Sequence, residues 1–205
     1  MRLFLALSLF LIGSLSLLAE TDATEMELTE RDSTEQSNNN RVFEDIEDEY
    51  FLAKIFFNSE QKRYYKKLDD AGKRLFLDAF WVANDPNPAT ELNEFVEIIK
   101  GRVDYCNLYY GYFKKGWKTD MGRILIRHGI PYEIIKGRSD ILAKHGDKEY
   151  QIWKYRINKD LTYIFLDMQT SGDFRLLYSE NDEKEASYPD WLEYLGNDFD
   201  PNILY

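Results

Sequence analysis

Residues 150–178 read YQIWKYRINKDLTYIFLDMQTSGDFRLLY. In an extended chain Tyr150 and Ile152 fall on one face, and Trp153 and Tyr155 on the other. Asn158-Lys159-Asp160 supplies a turn into Leu161, Tyr163 and Phe165. Thr170-Ser171-Gly172-Asp173 supplies another, into Phe174, Leu176 and Tyr178. Period two broken by turn chemistry predicts an antiparallel meander. Just upstream, Ile124 and Ile126 alternate with Arg123, Leu125 and Arg127, which predicts a first strand that Gly129-Ile130-Pro131 interrupts.

Towards the N-terminus the period changes to that of a helix. Phe43, Ile46, Tyr50, Ala53 and Phe57 step by three or four, with acids opposite. A second stripe runs through Leu68, Ala71, Leu75, Phe76, Ala79, Phe80 and Ala83, interrupted by Gly72. Asp85-Pro86-Asn87-Pro88 ends it, with Asn87 as the expected cap of the next helix and Pro88 at its first position. Leu92, Phe95, Val96, Ile99, Val103, Cys106, Tyr110 and Phe113 mark the longest helix. Trp191, Leu192 and Leu195 predict a short terminal helix that docks back. Helices at about 42–113 and strands at about 121–179 give an α+β fold, N-terminal amphipathic helices packed on one face of a C-terminal antiparallel β-meander.

Met1-Arg2 and the apolar run 3–18 read as a secretory signal peptide over 1–19, with cleavage at Ala19, cleavage at Ala23 or retention as an anchor left open. Of the net charge of −11, residues 20–50 hold −10 and residues 51–205 only −2. Residues 20–41 form an acidic arm with too little apolar surface to build a core, and 42–205 a single domain. A nearly neutral domain lacks the basic footprint for nucleic acid, which is not an expected partner. The single Cys106 forms no internal disulfide and lies far from any signal cleavage point, so the core alone must stabilise the chain.

Gly116-Trp117-Lys118-Thr119-Asp120, followed by Gly122-Arg123-Ile124 and Gly129-Ile130-Pro131-Tyr132-Glu133, resembles the GWxTD domain. Phe80-Trp81 before the proline loop, Arg102 on the long helix, Trp153-Tyr155-Arg156 and Gly172-Asp173-Phe174-Arg175 extend the resemblance over most of residues 60–180. The chain departs from the family pattern at Met121, His128 and Ile130, where an arginine, an aromatic and a proline are usual. The resemblance implies a bacterial exported or envelope protein, in the periplasm or on the extracellular side, with no established activity.

The pentapeptide also reads physically. Gly116 should end the long helix in a left-handed conformation, Trp117 bury its ring at the helix-to-sheet junction, and Thr119 and Asp120 hold a tight turn. Arg102 shares a helical face with Ile99, Val103 and Cys106, so its charge needs a partner, and Asp120 is the candidate. His128 and His145 have no ligating neighbours at metal spacing, and no catalytic, phosphate-binding or cofactor motif occurs, so no metal, cofactor or catalytic residue is expected. The expected role is a non-catalytic binding or structural module whose sheet face away from the helices offers Trp153 and Tyr155 to a protein, peptide or glycan of the envelope. The alternative is an envelope hydrolase using Asp120 or the carboxylates Asp85, Glu91 and Glu94 around the proline loop.

Overall fold

A computed structural model describes residues 40–204. The expected signal peptide and all but the end of the acidic arm lie outside the described residues. The chain divides into two compact units, one of residues up to Ala53 with Ser59–Val96, the other of Lys54–Asn58 with the chain from Glu97 onward.

The first unit contains α1 (Ile46–Ala53), α2 (Ser59–Tyr65) and α3 (Asp70–Ala83). Gly72 does not bend a helix. It lies in the first turn of α3, where Asp69 caps by accepting from the Gly72 N–H at 2.8 Å. Leu52, Leu77, Phe80 and Trp81 are buried, and Tyr50 stacks on Tyr65 at 4.0 Å. Glu49 is fully buried yet supplied with donors, accepting from the N–H groups of Val42 and Phe43. Burial nonetheless holds its carboxyl above the usual range.

The longest helix is α4 (Glu94–Tyr110), as its stripe predicts, but its start differs from expectation. Asn87 and Pro88 sit in a turn, with the Thr90 N–H donating to the Asn87 carbonyl. The capping side chain is Asn93, whose Oδ1 accepts from the Val96 N–H while its Nδ2 donates to the Trp81 carbonyl. Six residues downstream of α4, a 3-10 turn (Gly116–Lys118) leads into α5 (Asp120–His128).

Helix α5 stands where the first strand was expected. The alternation at 123–127 is overridden by helix start and stop chemistry. Thr119 caps, Asp120 occupies the first turn, Arg127 and His128 the last, and Gly129 ends the helix at φ 81°.

The sheet is a four-stranded antiparallel meander in the order β1 (Glu133–Arg138), β2 (Glu149–Arg156), β3 (Asp160–Leu166), β4 (Arg175–Glu180). Together with the helices it makes the fold α+β. One face carries Trp153, Tyr155, Tyr163 and Phe165 towards α4 and α5, with the Tyr110 ring 5.9 Å from Trp153 and His128 5.4 Å from Tyr155. The other face is covered by the C-terminal segment. Ile152, Ile164, Leu166 and Leu177 pack with Tyr194 and Leu195 of α6 (Trp191–Leu195) and with Leu204. Trp153 and Tyr155 are therefore 0% and 3% exposed, and the aromatic binding surface expected there does not exist. β3 carried the sign of this in DLTYIFL, a nearly unbroken apolar run typical of a strand buried on both faces.

Candidate functional site

The pentapeptide forms the joint between α4 and α5, and close backbone packing dictates its residue types. A Cβ on Gly116 would lie 1.8 Å from the Cys106 carbonyl oxygen, so the chain crosses α4 in backbone contact. Its φ is not left-handed and α4 has already ended at Tyr110, so Gly116 is required for close approach rather than as a helix terminator. Asn107 Oδ1 accepts from the Gly116 N–H at 2.9 Å. Trp117 is buried at 1% exposure, as expected.

Thr119 works in both directions. Its hydroxyl donates to the Gly116 carbonyl at 2.7 Å and accepts from the Gly122 N–H at 2.9 Å, closing the turn and capping α5. Gly122 tolerates no side chain either, since a Cβ would stand 2.2 Å from the Gly116 carbonyl oxygen. The Cys106 thiol lies 3.8 Å from the Gly122 carbonyl, and burial pushes its pKa up to about 12.

Asp120 does not pair with Arg102. Its Oδ1 accepts from Arg123 Nη1 at 2.8 Å, its Oδ2 accepts from the Leu176 N–H at 3.0 Å, and Arg175 Nε forms an ion pair with Oδ2 at 3.0 Å. The carboxylate thus seals a backbone donor on the outer edge of β4 while sitting at the N-terminus of α5. Burial acts to raise its pKa, but the Leu176 N–H, Arg123 and Arg175 outweigh it and hold the group below the usual carboxylate range.

Arg102 is satisfied at the opposite end of α5. Its Nη1 donates to the Ile126 carbonyl at 2.6 Å, where the helix dipole favours a cation. The guanidinium passes Gly129 so closely that a Cβ there would lie 3.0 Å from Nη2. Gly129 in turn accepts from the Tyr155 hydroxyl at 3.0 Å, and Pro131 beyond it is buried. Both ends of α5 are thereby tied down by charges of the sign its dipole favours.

A second set of polar groups joins α5 to residues 182–185, and nothing in the sequence pattern singled it out. Arg123 makes a two-pronged contact with Glu185 at 3.1 and 2.9 Å, while Arg127 bonds both Asp182 and Glu185. Tyr163 donates its hydroxyl proton to Asp182 Oδ2 at 2.6 Å and lies 3.1 Å from His128 Nε2, which also accepts from Arg127 Nε. Burial first, and Arg127 second, lower the His128 pKa to about 4, so the ring is neutral at pH 7. The i, i+4 arginines with acids in 181–185 were the available signal, legible only once 120–128 is read as a helix.

The proline loop holds fewer connections. Asp85 Oδ1 accepts from the Asn87 N–H, and Thr90 Oγ1 donates to Glu94 Oε1 at 2.6 Å. That bond keeps the Glu94 pKa below its ordinary value. Glu91 is exposed. Grooves of about 560, 810 and 800 Å³ open on the second unit, and Asp120 lines none of them. Among the described residues no helix is long and apolar enough to cross a membrane.

The family model of the GWxTD domain matches residues 26–187, most of the chain, and the chain belongs to that family. No curated protein and no solved structure matches it.

Proposed function

We propose that this GWxTD-family chain is an exported, non-catalytic binding or structural module of a bacterial envelope, in which the pentapeptide is an architectural joint. The observation that carries this is the state of Asp120, the one carboxylate of the motif. Both its oxygens are occupied by two arginines and a backbone N–H, and it is held ionised, which leaves it neither a proton to give nor a free lone pair aimed at a groove. The apolar run 3–18 behind Arg2 supports export, and the near-neutral charge of 51–205 supports a protein, peptide or glycan partner over nucleic acid.

The test is retention of envelope material on the immobilised exported chain. Specific capture of a protein or glycan without its cleavage is the expected result, and turnover of captured material would overturn it. The second reading, a hydrolase, has in its favour the Glu94 carboxylate beside the proline loop, whose Oε2 is buried and accepts no hydrogen bond among the described residues. It requires cleavage activity that disappears in Asp85→Asn and Glu94→Gln.

A further inference from the structure

The two edges of the sheet are finished differently. On β4, the Leu176 N–H is taken by Asp120, the Leu177 carbonyl accepts from the Tyr188 N–H at 3.0 Å, and the N–H and carbonyl of Ser179 are both bonded by the Ser187 hydroxyl. That edge is closed along its length. The β1 edge is not.

The β1–β2 register pairs Glu133 with Lys154 through Arg138 with Glu149, and the Ser139 N–H donates to the Lys148 carbonyl. Alternation along an antiparallel ladder then turns the N–H and C=O groups of Glu133, Ile135 and Gly137 towards β2, and those of Ile134, Lys136 and Arg138 outwards. Among the described residues these outward groups have no partner. An open row of this kind is a template for a further strand, which proteins normally cover or blunt.

The side chains along the edge say what strand would fit. Lys136 stands at its centre, exposed and in no ion pair among the described residues. Tyr132 and Ile134, 55% and 44% exposed, offer apolar surface at one end. The Tyr150 ring fills the space above Gly137, where a Cβ would come within 2.4 Å of it, so the edge keeps a packed surface at its glycine. The groove of about 800 Å³ lined by Tyr112, Lys136, Gln151 and Phe174 opens beside the same strand.

A second copy is a poor occupant, because pairing β1 with itself about its centre sets Lys136 against Lys136. A strand with a carboxylate at that position turns the repulsion into a cross-strand ion pair. We propose that the outer edge of β1 is a docking site for an extended acidic segment of a partner protein. The segment adds as a fifth strand, with an acid opposite Lys136 and an apolar side chain opposite Ile134. This rests on reading the chain as a binding module and specifies where and what it binds.

The test uses the exported chain with labelled ten-residue peptides of repeating valine-threonine-glutamate-threonine, which sets valine and glutamate two residues apart on one strand face, or of the same repeat with lysine for glutamate, followed by fluorescence anisotropy and amide hydrogen exchange. The acidic peptide is expected to bind and the basic one not to, with the amides of Ile134, Lys136 and Arg138 gaining protection. Lys136→Glu, an exposed change that leaves the core alone, should weaken the acidic peptide by about tenfold and favour the basic one. Lys136→Pro removes an outward N–H and should eliminate binding of both. No binding, equal binding of the two peptides, an affinity indifferent to Lys136→Glu, or protection confined to other strands would overturn the site. A chain that captures envelope material yet ignores the acidic strand overturns the edge and leaves the module reading intact. Cleavage that depends on Asp85 and Glu94 overturns the module reading itself.

Discussion

Replacing Asp120 by alanine separates an architectural joint from an active site. In the wild-type chain the side chain is 17% exposed, accepts from the Leu176 N–H and Arg123, and forms an ion pair with Arg175. Alanine leaves the Leu176 N–H without its charged acceptor, a loss of about 1.5–3 kcal/mol. It also removes a negative charge from the N-terminus of α5, worth about 0.3–1 kcal/mol. Arg123 keeps Glu185, and Arg175, 51% exposed, returns to water, so their losses are small. Together these give about 2–4 kcal/mol, a large share of an ordinary domain's stability. Asparagine retains an acceptor for the Leu176 N–H and should cost about 1 kcal/mol. Urea denaturation at pH 7 measures both variants. Because the folded pKa of Asp120 is depressed, its contribution is complete above the unfolded value and is lost as pH falls through the folded one. The gap between wild type and alanine variant should therefore close below about pH 4. An alanine variant within about 0.5 kcal/mol of wild type at pH 7, or a gap independent of pH, refutes the reasoning.

Arg102→Met should cost about 1–3 kcal/mol by stranding the Ile126 carbonyl. Since Arg102 and Asp120 hold opposite ends of α5, the double variant with Asp120→Ala should be additive within about 0.5 kcal/mol in the same denaturation assay. Gly116→Ala should destabilise by about 3 kcal/mol or more, because the Cys106 carbonyl cannot retreat from within α4. Gly101→Ala, on the same helix with nothing within 4 Å of the new Cβ, should stabilise by about 0.5–1 kcal/mol, and thermal midpoints moving in the same direction would contradict the packing account. The His128 ring, followed by NMR, should titrate with a midpoint of about 4. Its folded pKa being depressed, the stability it contributes is present above its unfolded value and is lost as pH falls towards that midpoint.

Capping and periodicity act over three or four residues, and where they acted alone the chain could be read directly. The stripe on α4, the turns at 158–160 and 170–173 and the short helix at Trp191–Leu195 all appear where their local chemistry places them. The exceptions are instructive. At 120–128 alternation and capping gave opposite answers, and capping prevailed because Thr119 and Gly129 close the helix ends while a strand there would leave both without a purpose. At 133–138 the sequence does not announce its strand, since EIIKGR at an edge has only one partner and a weak apolar pattern.

The sequence by itself determined the α+β class, the location of the charge and the importance of the residues from Gly116 to Pro131. Those depend on backbone preference and composition, which travel with the local chain. Only the tertiary structure decided that Arg102 answers the end of α5 rather than Asp120, and that Asp120 reaches Leu176, 56 residues away in the chain. It alone decided that Trp153 is buried between layers, that Asp182 and Glu185 return to α5, and that β4 is closed while β1 is open. A charged or aromatic side chain is compatible with many partners, and which one it meets is set by strand register and helix packing, which no short stretch of sequence contains.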